Sequence, residues 1–189
     1  MPKLSVGDKM PNFKFNTAYH SDVTIEDILP HKRRTIFWVL RYIGCTTCRY
    51  DVHSMASNYQ KFLDLDSQIY IVMQSDPSNV REYLAEHALP FEIICDSKQE
   101  IYQTLVIPAT ATREERQPTE ASDLAKLADK MAKLKAGGFV HGKYEGNEQQ
   151  LPALFVVEQD GTVSYAHYAK NSIDMPSVDE MLLTLRSMN

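Results

Sequence analysis

Apolar residues along this chain follow two patterns, which predict alternating strands and helices. Residues 33–43 contain a continuous apolar run, which is typical of a strand buried on both faces. A helix over about 48–65 is predicted next, because its apolar residues recur at intervals of three and four: Val52, Met55, Ala56, Tyr59, Phe62 and Leu63.

The same alternation continues after this helix. Residues 68–74 are β-branched and aromatic and predict a second strand. Asp76 and Pro77 then supply a capping residue and a proline at the first position of a helix. Residues 91–95 predict a third strand, after which Asp96 can cap a short helix. Strands separated by helices of this length favour right-handed crossovers and a parallel sheet.

The last third of the chain changes pattern. Residues 153–158 and 162–168 flank Gln159-Asp160-Gly161, which indicates an antiparallel hairpin. Ser177 with Glu180 forms a capping box for a final helix. The buried face of that helix is predicted to contain Met181, Leu182, Leu185 and Met188.

A long stretch from about 106 to 150 separates the two patterns. It contains one clear helix, which can end at Gly137-Gly138. The apolar stripe of this helix is Leu124, Leu127, Met131 and Leu134. Because the stretch has too few apolar residues to fold alone, we expect an insertion within one domain spanning residues 1–189.

The sequence Cys45-Thr46-Thr47-Cys48 lies between the first predicted strand and its helix. Two thiols separated by two residues at a helix start can close a small disulfide, and the free N–H groups there favour a thiolate. Cys48 continues the buried stripe of the helix, whereas Cys45 lies near the capping position, where solvent can reach it. We therefore predict that Cys45 attacks the substrate and that Cys48 resolves the intermediate.

Two arginines, Arg41 and Arg49, flank the cysteines. A guanidinium close to a thiol favours the thiolate, so both are candidate activating residues. The alternative is that each is an ordinary solvated surface residue.

Composition narrows the function classes. The 189 residues are 43% hydrophobic and carry a net charge of −5 without a long Lys/Arg run, which argues against nucleic acid or an anionic membrane as the main partner. The first residues contain no apolar segment of signal-peptide length, and no later run approaches the roughly 18 residues of a spanning helix. We expect a cytoplasmic protein whose three cysteines are mostly reduced between catalytic turns.

A zinc site is the main alternative for the cysteine pair. Cys45, Cys48 and His53 could be ligands, but a structural site needs four, and a second C-x-x-C or H-x-x-x-H motif is absent from the sequence. No metal or other cofactor is therefore predicted. Cys95, at the end of an apolar strand, is interpreted as a buried small hydrophobic residue.

Three segments together resemble a known family. Residues 7–13, residues 41–49 and residues 151–167 are similar to the peroxiredoxin-like, C-x-x-C-containing branch of the alkyl hydroperoxide reductase/thiol-specific antioxidant (AhpC/TSA) family. The resemblance covers nearly the whole chain. It implies an α/β thioredoxin-like fold, with a central mixed sheet flanked by helices, an N-terminal extension and the helical insertion before the last hairpin.

The thioredoxin-like fold also implies a role for Pro152. In that fold a cis proline before a strand faces the redox pair and leaves the preceding backbone free to pair with an extended substrate. By this analogy Leu151 and Pro152, with Thr46 and Thr47 between the cysteines, would contact the substrate. The alternative is an ordinary trans proline at the start of a strand.

The chain departs from the peroxiredoxin pattern around the cysteines. If Cys48 corresponds to the peroxide-attacking cysteine, Cys45 and Arg41 replace the family's threonine and proline, and Pro152 replaces its remote arginine. The buried aspartate of thioredoxin corresponds to Val39. The proton acceptor for Cys48 is therefore not identified by the resemblance.

These observations predict a thiol oxidoreductase. Cys45 would attack a peroxide or a protein disulfide, Cys48 would close an intramolecular disulfide, and a cellular dithiol reductant would reopen it. A redox sensor or partner-binding protein, with the apolar stripe of the insertion as a homodimer or partner surface, is the alternative. Steady turnover with a dithiol reductant distinguishes the two.

Overall fold

The computed structural model describes residues 2–188, which contain one mixed β-sheet. In chain order its strands are β1 (Lys14–Thr17), β2 (Val23–Thr24), β3 (Arg34–Val39), β4 (Ser67–Met73), β5 (Glu92–Cys95), β6 (Ala153–Glu158) and β7 (Val163–Tyr168). Their order across the sheet is β2-β1-β5-β4-β3-β6-β7.

The sheet has a parallel part and an antiparallel part, as the sequence predicted. β3 pairs in parallel with β4, and β4 pairs in parallel with β5. β6 and β7 form the antiparallel hairpin, which joins the sheet through antiparallel pairing of β6 with β3. β1 and β2 form the N-terminal hairpin, and β1 adds antiparallel to β5. The α/β, thioredoxin-like architecture is therefore confirmed.

Helices cover both faces of the sheet. They are α1 (Ile25–Ile28), α2 (Thr46–Ser57), α3 (Tyr59–Leu63), α4 (Pro77–Glu86), α5 (Glu100–Thr104), α6 (Ala121–Ala136) and α7 (Val178–Ser187), with one 3₁₀ turn at Leu29–His31. Within residues 2–188, none of these helices has the length and apolar character needed to cross a membrane.

The predicted helix over 48–65 is in fact two helices, because α2 ends at Ser57 and α3 begins at Tyr59. The Nδ2 of Asn58 donates to the Ser54 carbonyl oxygen at 2.8 Å. A side chain that bonds to the backbone in this way competes with the regular helical pattern. Periodicity alone did not reveal this break.

β3 lies between two hydrophobic cores, which explains its continuous apolar run. Ile36 and Trp38 belong to the core that includes residues of α2 and α7. Phe37 and Val39 belong to the core on the opposite face of the sheet, beside the N-terminal segment and α5. The strand thus holds the start of α2, which follows it, in a fixed position.

The helical insertion packs against α2 and differs in one respect from the prediction. Leu134 of α6 is buried, but Leu124 and Met131 are 47% and 51% exposed. The predicted stripe is therefore only partly buried. α6 contacts α2, and Lys130 of α6 pairs with Asp51 of α2.

Candidate active site

Cys45 caps the N-terminus of α2. Its backbone is extended, with φ −70° and ψ 122°, and its Sγ accepts a hydrogen bond from the Cys48 N–H at 3.3 Å. A capping sulfur satisfies one of the free N–H groups of the first turn. This is the position that the sequence predicted.

Two further donors surround the Cys45 sulfur. The Nη2 of Arg41 lies 3.0 Å from Sγ, and the Oγ1 of Thr47 lies 3.2 Å from it. Burial raises the pKa of the Cys45 thiol, but the hydrogen bonds from Cys48 and Thr47 and the charge of Arg41 outweigh burial and hold this pKa well below its ordinary value. These contacts favour the thiolate form of Cys45.

Cys48 has the opposite character. Burial raises the pKa of its thiol well above the ordinary value, and the hydrogen bond to Cys45 and the charge of Cys45 raise it further. The opposite directions of the two pKa shifts favour ionisation of Cys45 before Cys48. The site thus combines an activated thiolate with a neighbouring protonated thiol.

The prediction that solvent reaches Cys45 is wrong, because Cys45 is only 1% exposed. A segment of the insertion, residues 139–149, closes over the start of α2; we call it the strap. The Gly142 N–H donates to the Gly44 carbonyl oxygen at 2.7 Å, and the Nη1 of Arg41 donates to the Glu148 carbonyl oxygen at 3.0 Å. Nothing in the local pattern around the cysteines signals this cover.

Arg49 contacts the strap. Its Nε donates to the Ile43 carbonyl oxygen at 2.7 Å and its Nη1 to the Val140 carbonyl oxygen at 3.0 Å. Its guanidinium lies 4.8 Å from the centre of the Tyr83 ring. These contacts tie the strap to α2, a different arrangement from the thiolate contact predicted from sequence.

A second group of strap residues surrounds Tyr42, which sequence analysis did not single out. The Tyr42 hydroxyl donates to Glu148 Oε1 at 3.3 Å and lies 3.2 Å from His141 Nε2. His141 stacks on Tyr144 with ring centres 4.1 Å apart. Burial raises the pKa of Tyr42, so the hydroxyl stays protonated and can donate.

A cavity of about 410 Å³ leads to the redox pair from the other side. It lies between α2, α6 and the segment that enters α7. Its lining includes Arg41, Thr47 and Cys48 together with Pro152. Cys45 does not itself line the cavity, but two of the lining residues, Arg41 and Thr47, contact its sulfur.

The proposed cis proline is not observed. All peptide bonds among residues 2–188 are trans, including the bond from Leu151 to Pro152. The Leu151 N–H donates to the Pro108 carbonyl oxygen at 3.1 Å, so the insertion already occupies the backbone group expected to pair with substrate. Pro152 nevertheless lines the cavity, whereas Leu151 is buried and Thr46 is half-buried at the first position of α2.

Three charged residues near the pair were missed by sequence analysis. Asp51 lies three residues after Cys48 and pairs with Lys130 of α6, with 2.7 Å between the Asp51 carboxylate and Lys130 Nζ. Arg116, a buried residue of the insertion, donates from Nε to Gln149 Oε1 at 3.3 Å. Burial and the charge of Arg41 lower the pKa of Arg116, while the two cysteines raise it.

The zinc alternative receives no support from the geometry. His53 Nε2 lies 2.6 Å from the Tyr83 hydroxyl, with which it shares a hydrogen bond. In the described part of the chain, no three His, Cys, Asp or Glu residues are grouped closely enough to hold a metal ion.

Comparison with known proteins identifies the family of this chain. The model of the AhpC/TSA family matches residues 6–166, which is most of the sequence. The chain belongs to the AhpC/TSA family. It is a thiol-based oxidoreductase of the kind this family comprises, with peroxide reduction as the antioxidant activity. No curated protein sequence matches the chain significantly.

Solved structures agree with the AhpC/TSA fold at low sequence identity. Peroxiredoxin 6 of Arenicola marina aligns with a TM-score of 0.71 and 11% identity, covering 98% of this chain and 73% of that one. AhpC of Mycobacterium tuberculosis gives 0.66 and 17%, covering 99% and 94%. The peroxidoxin BcpB of the same organism gives 0.65 and 11%, covering 97% of each chain.

Proposed function

We propose that the Cys45/Cys48 pair reduces a small hydroperoxide, with Cys45 as the nucleophile. The observation that supports this most directly is the position of the Cys45 sulfur, which receives three hydrogen-bond donors but is 1% exposed. A folded protein that carries a disulfide is too large to reach a sulfur covered by the strap. A small oxidant can approach through the cavity that Arg41, Thr47 and Cys48 line.

The first half of the reaction oxidises Cys45. The thiolate attacks the terminal oxygen of the hydroperoxide, an S–O bond forms and the O–O bond breaks. The hydroperoxide is reduced to an alkoxide, which takes up a proton to become an alcohol, or water from hydrogen peroxide. Arg41 contacts the sulfur and lines the cavity, so it is positioned to stabilise the negative charge as it moves to the leaving oxygen.

The second half restores the pair. The Cys48 sulfur attacks the sulfenic sulfur of Cys45, an S–S bond forms, and the hydroxyl leaves as water after taking up a proton. A cellular dithiol then reduces the disulfide by exchange and becomes a disulfide itself. Thr47 and Pro152, with Thr46 and Leu151 behind them, are proposed to shape the substrate side of the site.

The deciding experiment is a paired assay on wild type, Cys45→Ser and Cys48→Ser. Hydroperoxide consumption and insulin disulfide reduction are followed with the same dithiol reductant. We expect steady hydroperoxide turnover in the wild type, none with Cys45→Ser, and at most one equivalent consumed with Cys48→Ser. Insulin reduction should be much slower than peroxide reduction.

Cys95→Ser is the matched control. Cys95 lies at the end of β5, where burial raises the pKa of its thiol to about 12, and it makes no hydrogen bond to either cysteine of the pair, so its removal should leave turnover unchanged. Loss of peroxide consumption in Cys48→Ser alone would reverse the nucleophile. Faster reduction of insulin than of peroxide would make a protein disulfide the substrate. A single oxidation without turnover would favour the sensor. Homodimer formation stays a prediction, which sedimentation analysis can test.

A further inference from the structure

A charged pair lies beside the redox cysteines and has no role in the proposed reaction so far. The Asp51 carboxylate and Lys130 Nζ are 2.7 Å apart, and their side chains are 27% and 14% exposed. Asp51 belongs to α2 and Lys130 to the insertion helix α6. Because the pair is largely removed from water, the carboxylate is held in one place.

Helix geometry places Asp51 on the same side of α2 as Cys48. Residues three apart on a helix lie on the same face, and Asp51 follows Cys48 by three. Both residues line the cavity of about 410 Å³. A cavity of this size, lined in part by charged side chains, has room for several water molecules, which can carry a proton between the two side chains.

Cys48 needs a proton acceptor at one step. Its thiol is 4% exposed, and burial, which remains after Cys45 is oxidised, raises the pKa of this thiol, so its proton must leave as the intramolecular disulfide forms. The thiolate is the nucleophile in that step. The cations at the inner end of the cavity, Arg41 and Lys130, cannot accept a proton.

Other charged groups also face this cavity. From α6 come Lys126, Asp129 and Lys133, and from α7 comes Glu180. Lys133 and Asp129 pair with each other at 2.7 Å, with more than half of each side chain exposed. Glu180 is engaged in the capping box with Ser177. Asp51 is therefore the carboxylate nearest in the chain to Cys48 and the one paired inside the cavity.

We propose that Asp51, held in position by Lys130, accepts the proton of Cys48 across the cavity as Cys48 attacks the oxidised Cys45 sulfur. In this step the Cys48 S–H bond breaks and its proton passes to Asp51. The electron pair left on the Cys48 sulfur forms the S–S bond to Cys45, and the S–O bond of Cys45 breaks. The hydroxide that leaves Cys45 then takes a proton from Asp51 and departs as water. Asp51 ends the step ionised again. This inference rests on the proposed roles of the two cysteines.

The pH dependence of this step is the informative readout. Burial raises the pKa of Asp51, whereas Lys130 lowers it. The charge of Cys45, which also raises the pKa of Asp51 in the reduced pair, is absent once Cys45 is oxidised. The closure rate should therefore increase with pH on the acid side as Asp51 ionises. Lys130→Met removes the opposing cation, so the same increase should occur at higher pH.

Closure can be measured without peroxide. Methyl methanethiosulfonate converts Cys45 into a small methyl disulfide, from which Cys48 displaces methanethiol as the Cys45–Cys48 disulfide forms. Quenched intact mass measurements give the rate at each pH. The same measurement after one equivalent of hydrogen peroxide gives the rate from the sulfenic acid. If peroxide turnover fails but closure from the methyl disulfide is normal, the proposed oxidant is wrong and this inference stands. If closure itself does not depend on Asp51, the inference is wrong.

Asp51→Asn should slow closure by both routes by about tenfold or more at neutral pH, since a positioned proton acceptor contributes at least that much. The acid-side increase should disappear, while Cys45, whose thiolate loses a neighbouring negative charge, should still react with the reagent at least as fast as in the wild type. Asp51→Glu should restore part of the rate. Asp64→Asn, which makes the same charge change on an exposed residue after α3, is the control and should behave as wild type.

Urea unfolding of each variant separates folding defects from a loss of proton transfer. Normal closure and an unchanged pH profile in Asp51→Asn would overturn the inference. The proton of Cys48 would then pass directly to the leaving group. Equal slowing at every pH, with no rescue by glutamate, would also overturn it and leave Asp51 a structural role.

Discussion

Arg41 donates from Nη2 to the Cys45 sulfur at 3.0 Å and from Nη1 to the Glu148 carbonyl oxygen at 3.0 Å. One guanidinium thus contacts both the redox sulfur and the strap that covers it. Activation of the thiolate and closure of the site are coupled through this side chain.

Arg41→Met should raise the pKa of the Cys45 thiol, because it removes the nearest positive charge while burial remains. Hydrogen bonds to charged groups contribute about 1.5–3 kcal/mol, so peroxide reduction at neutral pH should fall by roughly tenfold or more. The pH dependence of thiolate ultraviolet absorbance gives the pKa directly. Arg186→Met, on an exposed residue of α7, is the control. An unchanged thiol pKa in Arg41→Met would show that Arg41 does not activate Cys45.

Gly44→Ala should open the strap. A Cβ at Gly44 would overlap the Lys143 carbonyl oxygen and come within 2.8 Å of the Lys143 carbonyl carbon and nitrogen. Overpacking of this kind costs about 1–3 kcal/mol, so the strap should move rather than the start of α2. We expect faster alkylation of Cys45 by bulky maleimides, measured by peptide mass mapping. Val140→Ala, on a strap residue that is 69% exposed, should leave the alkylation rate close to wild type.

Acid should lower the free energy of unfolding through His53, which contacts the strap. The rings of His53 and Phe139 are 5.5 Å apart, and burial, His87 and Arg49 lower the pKa of His53 below the ordinary 6.5. Below about pH 6.5 the unfolded chain therefore binds a proton that the folded chain resists, and the free energy of unfolding decreases as pH falls.

His53→Gln should make the free energy of unfolding less dependent on pH in this window. Urea midpoints measured on both sides of pH 6.5 test this, with His31→Gln, on an exposed histidine, as the matched substitution. An identical pH dependence in wild type and His53→Gln would exclude His53 as its source.

Arg34 anchors the C-terminal helix. This buried residue of β3 donates to Glu158 Oε1 at 3.0 Å, to the Leu185 carbonyl oxygen at 3.2 Å and to the Met188 carbonyl oxygen at 2.7 Å. Arg34→Met leaves these acceptors without that donor, and breaking a buried charged network costs about 3–5 kcal/mol. The free energy of unfolding in urea should fall by this amount, whereas an effect below about 1 kcal/mol would contradict the anchoring role.

Local patterns were enough for most of the elements. The capping box of Ser177 and Glu180 and the turn at Asp160-Gly161 depend on neighbouring residues, and both formed as predicted. The strand predicted over residues 33–43 also formed, but it spans only Arg34–Val39. The assignment of Cys45 to the cap of α2 belongs to the same class, because capping is decided within one helical turn.

The insertion is where local reasoning failed. Its strap has no apolar period, and no pattern of neighbouring residues predicts that Gly142 bonds to Gly44, about a hundred positions earlier. The Gly-punctuated loop with His141, Tyr144 and Asn147 is compatible from sequence with a lid or with a solvent-exposed connection, and only the folded chain distinguishes the two. The hydrogen bonds from Arg49 to the Val140 carbonyl oxygen and from the Leu151 N–H to the Pro108 carbonyl oxygen were missed for the same reason. Each joins segments that only the folded chain brings together.

The sequence by itself determined the sheet-and-helix order, the family and the presence of a redox pair at a helix start, since these follow from periodicity, capping and short motifs. Tertiary structure alone decided that Cys45 is buried, that Arg41 rather than Arg49 reaches its sulfur, and that Asp51 meets Lys130 beside Cys48. These outcomes depend on distances between segments far apart in the chain, which are fixed by the packing of the insertion against α2.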